Sequence, residues 1–422
     1  MNSKLFRSLL GVVALDQTYI TITFPLVTLI FFDTQSRLFS HDTTYAARSF
    51  WYALCVAFPN FINLFFAPIL SALSDQFGRK RILLIEIMNA CFFTLSVGLG
   101  VYYGVLAFVF VGYLIRGALV KVNPIALAMI GDVTSKEDKV LYMGYLQFAI
   151  SIGAALGPFI GGYLAARYYF AELNFALPFF IAACLAFMNV FAAAFLLPET
   201  YSTTARQAKS TTHNSTWKVL FRKKEIWMIS ILLLLIQFSW SMYYQFMPPI
   251  LKTIYGFDSN QLGFFIGMIA FWLAMTTGVI IPLLNKWMSI RNMLFCSVML
   301  VIVGEISSII SCTYGLGGNQ IALWLAAMPV AAGDVLAYSC LSALYSNGVP
   351  IHHQGKTMGI IFIISGLTWS TTAILGGYLL SLSPILPLLI APIGCVLALG
   401  LLQAKFCATF FQKGLESHAL TP

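Results

Sequence analysis

Gly161-Gly162-Tyr163-Leu164 closes one long apolar run, and Gly376-Gly377-Tyr378-Leu379 closes another. The same shift of 215 positions carries Met143-Gly144 onto Met358-Gly359, with no gap between the two matches. A period this long, repeated once, describes two halves of common origin, each built from several elements. What those elements are follows from the composition around the repeat.

Of 422 residues, 59% are hydrophobic and only 9% are charged. A soluble domain of that composition would present a largely apolar surface to water, so most of this chain faces lipid. A bilayer core about 30 Å thick takes roughly 20 apolar residues per helix. Runs of that kind fall at roughly 8–32, 46–70, 82–102, 105–128, 141–166, 176–197, 226–251, 261–284, 292–312, 320–345, 357–381 and 385–408. Lipid offers no partner to backbone N–H and C=O groups, so runs of this length are helices. The expected fold is an all-α integral membrane protein with twelve transmembrane helices in two pseudo-symmetric six-helix halves. The halves are 1–198 and 226–422, joined by 199–225, which is rich in Ser, Thr, Lys and Arg and reads as a cytoplasmic linker. Its Asn214-Ser215-Thr216 sequon lies on a segment that is not expected to be translocated.

The net charge of +9 would suit nucleic acid if it clustered on a soluble face. It instead follows the loops. With both termini inside, only Arg37, Arg48, Arg167 and Lys252 fall outside, Arg116 and Lys121 fall within spans, and the rest of the 24 Lys and Arg lie on the inner side. That asymmetry predicts cytoplasmic termini and a lipid bilayer as partner, with no nucleic acid. Lys4 and Arg7 precede the first run as in a signal peptide, but no small-residue cleavage site follows, so a retained span is expected. All eight cysteines lie in or beside apolar runs without metal-ligand spacing, and His352-His353 lacks a third ligand. No metal or cofactor is expected.

The loop after the second run reads Ser71-Ala72-Leu73-Ser74-Asp75-Gln76-Phe77-Gly78-Arg79-Lys80-Arg81. Glycine permits a tight turn, the basic residues hold the loop inside, and the acid suits a helix N-terminus. This stretch resembles the signature G-x-x-x-D-R-x-G-R-R/K between the second and third helices of the major facilitator superfamily. Ser71 and Gln76 depart from it. The resemblance implies that Asp75, Gly78, Arg79 and Lys80 take part in gating, with Asp75 latching one conformation against the opposite half. The loop from Asn285-Lys286 to Arg291 is a degenerate copy.

In the fifth run, Gly153-Ala154-Ala155-Leu156-Gly157-Pro158-Phe159-Ile160-Gly161-Gly162 is similar to the G-x-x-x-G-P-x-x-G-G motif of the drug:proton antiporter branch. Small residues let helices approach closely, and proline removes a backbone hydrogen bond. Gly153, Gly157, Pro158, Gly161 and Gly162 are therefore gating candidates, with simple helix packing as the alternative. Gly157-Pro158 has no copy in the second half, where Thr372-Ala373 stands. Asp16 with Pro25, Arg116-Gly117 and Pro198-Glu199-Thr200 also look like superfamily features, and the family resemblance implies a monomer.

Ionisable groups within a bilayer are costly and are functional by default. At 1.5 Å per residue, Asp16, Arg116, Lys121, Glu305 and Asp334 all lie well inside their spans. Asp16, Glu305 and Asp334 are candidate proton-coupling acids. A static ion pair is the alternative for Asp16, and the other two could instead partner a cationic substrate or pair with Lys121 as structural glue. Arg116 and Lys121 are candidate substrate contacts, with Asn123 on the face of Arg116. Gln237, Trp240 and Tyr244 share one face at i, i+3 and i+7, fit either to line a cavity or to pack helices. Glu86 and Asp132 fall near the cytoplasmic interface, where gating contacts or solvation are expected.

No nucleophile with its base, no His-Glu-x-x-His and no phosphate loop is present, which argues against an enzyme. The repeat argues against a channel and for alternating access. The expectation is proton-coupled efflux of a small amphiphilic compound. A proton-coupled importer of a nutrient, metabolite or siderophore is the other reading. Short loops and compact termini suggest a bacterial inner membrane.

Overall fold

The computed structural model describes residues 3–118, 122–134, 139–166, 173–200, 224–313, 320–347 and 354–403. Among these residues, twelve helical stretches are long and apolar enough to cross a membrane. They are α1 (Leu5–Phe32), α2 (Tyr45–Phe66), α3 (Arg79–Tyr103), α4 (Leu106–Ile130), α5 (Tyr142–Ala165), α6 (Leu177–Leu196), α7 (Ile226–Tyr255), α8 (Ser259–Leu284), α9 (Ile290–Thr313), α10 (Ile321–Tyr345), α11 (Gly359–Leu382) and α12 (Leu386–Gln403). The apolar runs and the helices coincide to within a few residues at most ends, because run length is what a bilayer selects. Within α4, residues 119–121 lie outside the described residues, so Lys121 does too. The linker residues 201–223 and His352-His353 are likewise outside them.

Large apolar side chains such as Phe65, Phe148, Phe195, Ile321 and Leu325 are exposed. In water such a surface would drive association; in hydrocarbon it is the ordinary solvated face. The buried set mixes large side chains such as Tyr19, Phe93, Tyr243 and Phe246 with polar ones such as Asp16, Ser239 and Glu305.

Two of the spans depart from regular α-helix beside a proline. In α1 the helix breaks at Thr23, two residues before Pro25, and the Thr23 hydroxyl donates to Ile20 O at 2.7 Å. Proline supplies no N–H, so the helical bond from residue 25 back to residue 21 is lost, which accounts for the break. In α8 a π-turn spans Thr276–Ile280, just ahead of Pro282, with Ile281 N donating to Thr276 O. α7 carries Pro248 and Pro249 inside its length.

Contacts group the chain into two compact units. One comprises Met1–His213 with Pro248–Ala274 and Gly377–Pro384; the other comprises Asn214–Met247, Met275–Gly376 and Ile385–Pro422. The first unit thus takes in one end of α7, most of α8 and the end of α11. Two of the borders fall at irregular points of their helices, before Pro248 in α7 and beside the π-turn in α8.

The glycines of α5 hold the first unit together. A Cβ at Gly153 would lie 2.8 Å from Gln17 Cβ, and one at Gly157 would lie 2.6 Å from Thr18 O. At Gly161 it would strike Ile22 O, at the broken turn of α1. Gly162 faces the other way, where a Cβ would come within 3.0 Å of Gly263 Cα on α8. Thr21 adds a hydroxyl bond of 3.2 Å to Gly153 O.

Candidate functional site

In the first unit, Asp16 is fully buried on α1. Its carboxylate accepts a short hydrogen bond from Tyr19 and one of 3.1 Å from Gln17 Nε2. Gln17 Nε2 also lies 3.3 Å from Asn123 Oδ1, so Asn123 on α4 joins Asp16 through Gln17. Arg116 stands apart from that group, with its guanidinium 5.4 Å from the ring centre of Phe24 and 5.3 Å from that of Phe93. A cation over aromatic faces is attracted by the ring quadrupoles. Among the described residues no Lys or Arg forms an ion pair with Asp16.

The loop motif forms a capped helix start. Gly78 adopts φ +101°, and a Cβ there would collide with the Glu199 carboxylate. That carboxylate accepts from Arg79 N at 2.9 Å and Lys80 N at 3.2 Å, the first N–H groups of α3. An anion on unsatisfied N-terminal amides is stabilised by both the hydrogen bonds and the helix dipole. Arg79 also reaches Asp132 at 3.3 Å and the Ser74 hydroxyl at 2.6 Å, and Lys80 Nζ donates to Ala194 O at 2.6 Å. Sequence pointed to Asp75 as the acid at a helix N-terminus. The side chain of Asp75 lies outside the described residues, and the acid seen on an N-terminus is Glu199, within the Pro198-Glu199-Thr200 element. Glu86, expected near the interface, is buried on α3.

At the far end of α1, Asp33 pairs with Lys252 of α7 at 2.5 Å, and Tyr45 meets Thr253 at 3.3 Å. Both contacts lie within the first unit. Sequence reading placed Lys252 only as an outer charge and did not identify Asp33.

In the second unit, the predicted face of α7 is continuous with two other helices. Gln237 Nε2 donates to Asp334 Oδ1 of α10 at 3.1 Å, and Trp369 Nε1 of α11 donates to Gln237 Oε1 at 3.0 Å. One amide thus links an acid to an indole. Trp240 and Tyr244 rings are 5.1 Å apart, and Tyr244 lies 5.9 Å from Trp369. The three rings flank the polar chain. Glu305 on α9 is fully buried behind this group, with Ser239 Oγ at 3.1 and 3.0 Å from its two oxygens.

Sequence singled out Gln237, Trp240, Tyr244, Asp334 and Glu305, and the structure gathers them into one unit. It missed Trp369 and Ser239, neutral residues whose spacing carries no signal. Tyr19 sits three positions after Asp16, one helical turn away, and could have been found on that ground.

Comparison with known proteins agrees with the fold and the motifs. The Major Facilitator Superfamily profile matches residues 9–373. The chain is 25% identical over 368 residues to tetracycline resistance protein, class C, of Escherichia coli, covering 85% of each protein. It is 26% identical over 345 residues to multidrug resistance protein 2 of Bacillus subtilis (strain 168), covering 80% of this chain and 82% of that one. Among solved structures, the nucleoside transporter NupG superposes with a TM-score of 0.72 at 14% identity, over 98% of this chain and 99% of that one. A D-xylose-proton symporter gives 0.68 at 15% identity, over 95% and 96%.

Proposed function

Since the chain belongs to the Major Facilitator Superfamily and is a transporter rather than an enzyme, we propose that it exports a small amphiphilic compound in exchange for protons by alternating access. The observation that carries this reading is the trio Asp16, Glu305 and Asp334. Each is buried in a membrane-spanning helix and is held by neutral partners, namely Tyr19 and Gln17, Ser239, and Gln237. A carboxylate without a countercharge is strongly disfavoured in such surroundings, so binding and releasing a proton is the cheapest way for the site to change state.

Substrate contact is assigned to the chain Asp334–Gln237–Trp369 with the rings of Trp240 and Tyr244. Aromatic faces with an acid behind them suit a flat or cationic molecule. Arg116 and Asn123 are further contacts in the first unit. The direction, outward, is supported by the Gly157-Pro158 element of α5 and by the relatives' names, tetracycline resistance protein and multidrug resistance protein. The glycines of α5, the Gly78 turn and the Arg79–Asp132 contact are assigned to gating. We place the protein in a bacterial inner membrane as a monomer with both termini cytoplasmic.

The test is uptake of tetracycline and of cationic dyes into inverted vesicles under an imposed proton gradient. Gradient-driven uptake that disappears in Asp16→Asn supports export coupled to protons. Accumulation in right-side-out vesicles, with none in inverted ones, would replace the exporter with an importer.

A further inference from the structure

Ser239 has three oxygen neighbours and one proton. Its Oγ lies 2.6 Å from Ala391 O on α12, and 3.1 and 3.0 Å from Oε1 and Oε2 of Glu305 on α9. A backbone carbonyl has only lone pairs to offer, and a hydroxyl has a single O–H. Two oxygens at 2.6 Å are within the range of an O–H···O bond and repel if no proton lies between them. The Ser239 proton therefore points at Ala391 O. What Ser239 presents to Glu305 is then its lone pairs, and an ionised carboxylate would set acceptor against acceptor.

We infer that Glu305 is held in this arrangement as the neutral acid, donating its proton to Ser239, which in turn donates to Ala391 O, so that a two-bond relay joins α9 through α7 to α12. The surroundings agree. Glu305 is 0% exposed, and among the described residues no Lys or Arg lies against it. The titratable groups that face it are Asp334 on α10, Tyr243 on α7 and Cys395 on α12, none of which supplies positive charge. The Tyr243 hydroxyl is engaged with Ser308 at 3.2 Å.

The relay makes the α7–α12 contact depend on the proton. Once Glu305 loses it, the carboxylate competes for the only Ser239 proton, and Ala391 O gives up its side-chain partner. That carbonyl sits next to Pro392 and close to Gly394, where a Cβ would meet Leu235 O of α7, so the helices are packed backbone to backbone at the point of change. Ser239 is thus a positioning residue that turns the charge of Glu305 into a change in α12. The inference deepens the antiport reading and rests on it only for the claim that this proton is an exchanged one.

Infrared difference spectroscopy of the purified, lipid-reconstituted protein at neutral pH tests it. A carboxylic-acid C=O band should be lost in Glu305→Gln, should shift in Ser239→Ala when the acid loses its acceptor, and should return to its original position in Ser239→Thr. Loss of carboxylate bands instead in Glu305→Gln would overturn the inference. If Glu305→Gln does not accumulate, acid bands identical in wild type and Ser239→Ala would overturn it alone. A band that behaves as expected, in a protein that moves no protons in vesicles, would leave the neutral Glu305 standing and remove the antiport.

Discussion

Asp16 accepts from Tyr19 on one carboxylate oxygen and from Gln17 on the other, and an amide of the same shape keeps one acceptor oxygen for Tyr19 while the Gln17 amide can turn its own oxygen toward the new NH2. Asp16→Asn should therefore leave the protein folded while lowering gradient-driven flux at least about tenfold, a barrier change of ~1.4 kcal/mol. Flux in vesicles and thermal stability in detergent, measured on the same preparation, separate the two effects. Equal flux in the variant would mean that the acid is structural. Trp369 carries a different load, since its indole both holds Gln237 and meets the Tyr244 ring at a tilt. Trp369→Ala should weaken binding of an aromatic substrate by roughly 0.5–1.5 kcal/mol from the lost ring contact alone, read as a rise in KM or in the Kd of a fluorescent dye. A rise confined to turnover, with binding unchanged, would place the indole away from the substrate.

The helix contacts make their own demands. Gly78 combines a backbone conformation that L side chains rarely adopt with the approach of Glu199, so Gly78→Ala meets both strain and collision. Glu199→Ala removes the cap without straining the turn and should cost about 0.5–2 kcal/mol for the lost cap. Gly78→Ala should lower the apparent melting temperature more than Glu199→Ala does, and the reverse order would show that the turn tolerates a side chain. At the far end, Asp33 and Lys252 form a pair whose side chains are only 12% and 16% exposed. Asp33→Ala and Lys252→Ala should each be destabilising, with a coupling of roughly 0.5–3 kcal/mol in the double-mutant cycle. A cycle that closes at zero would make the pair incidental. Little of this was legible in the chain. Run length and the cost of charge in lipid announce the spans and the buried acids, because a bilayer enforces both. A pair such as Asp33 and Lys252, or a cap such as Glu199 on α3, depends on which ends meet in space, and no local pattern encodes that. Span five is intermediate: its glycines declared close packing, while their two-sided use, with Gly157 on α1 and Gly162 on α8, needed coordinates.

At the scale of the whole chain, the repeat and the apolar runs sufficed for twelve helices. Antiport as proposed requires buried acids that take up protons as substrate leaves. Its most direct test is proton movement in proteoliposomes that carry no imposed proton gradient, loaded with tetracycline on one side and followed with a pH-sensitive dye. Exchange predicts that downhill flow of the compound drives protons in the opposite direction, and that this countermovement is lost in Asp16→Asn. Protons moving with the compound, or a flow that leaves pH unchanged, would contradict it.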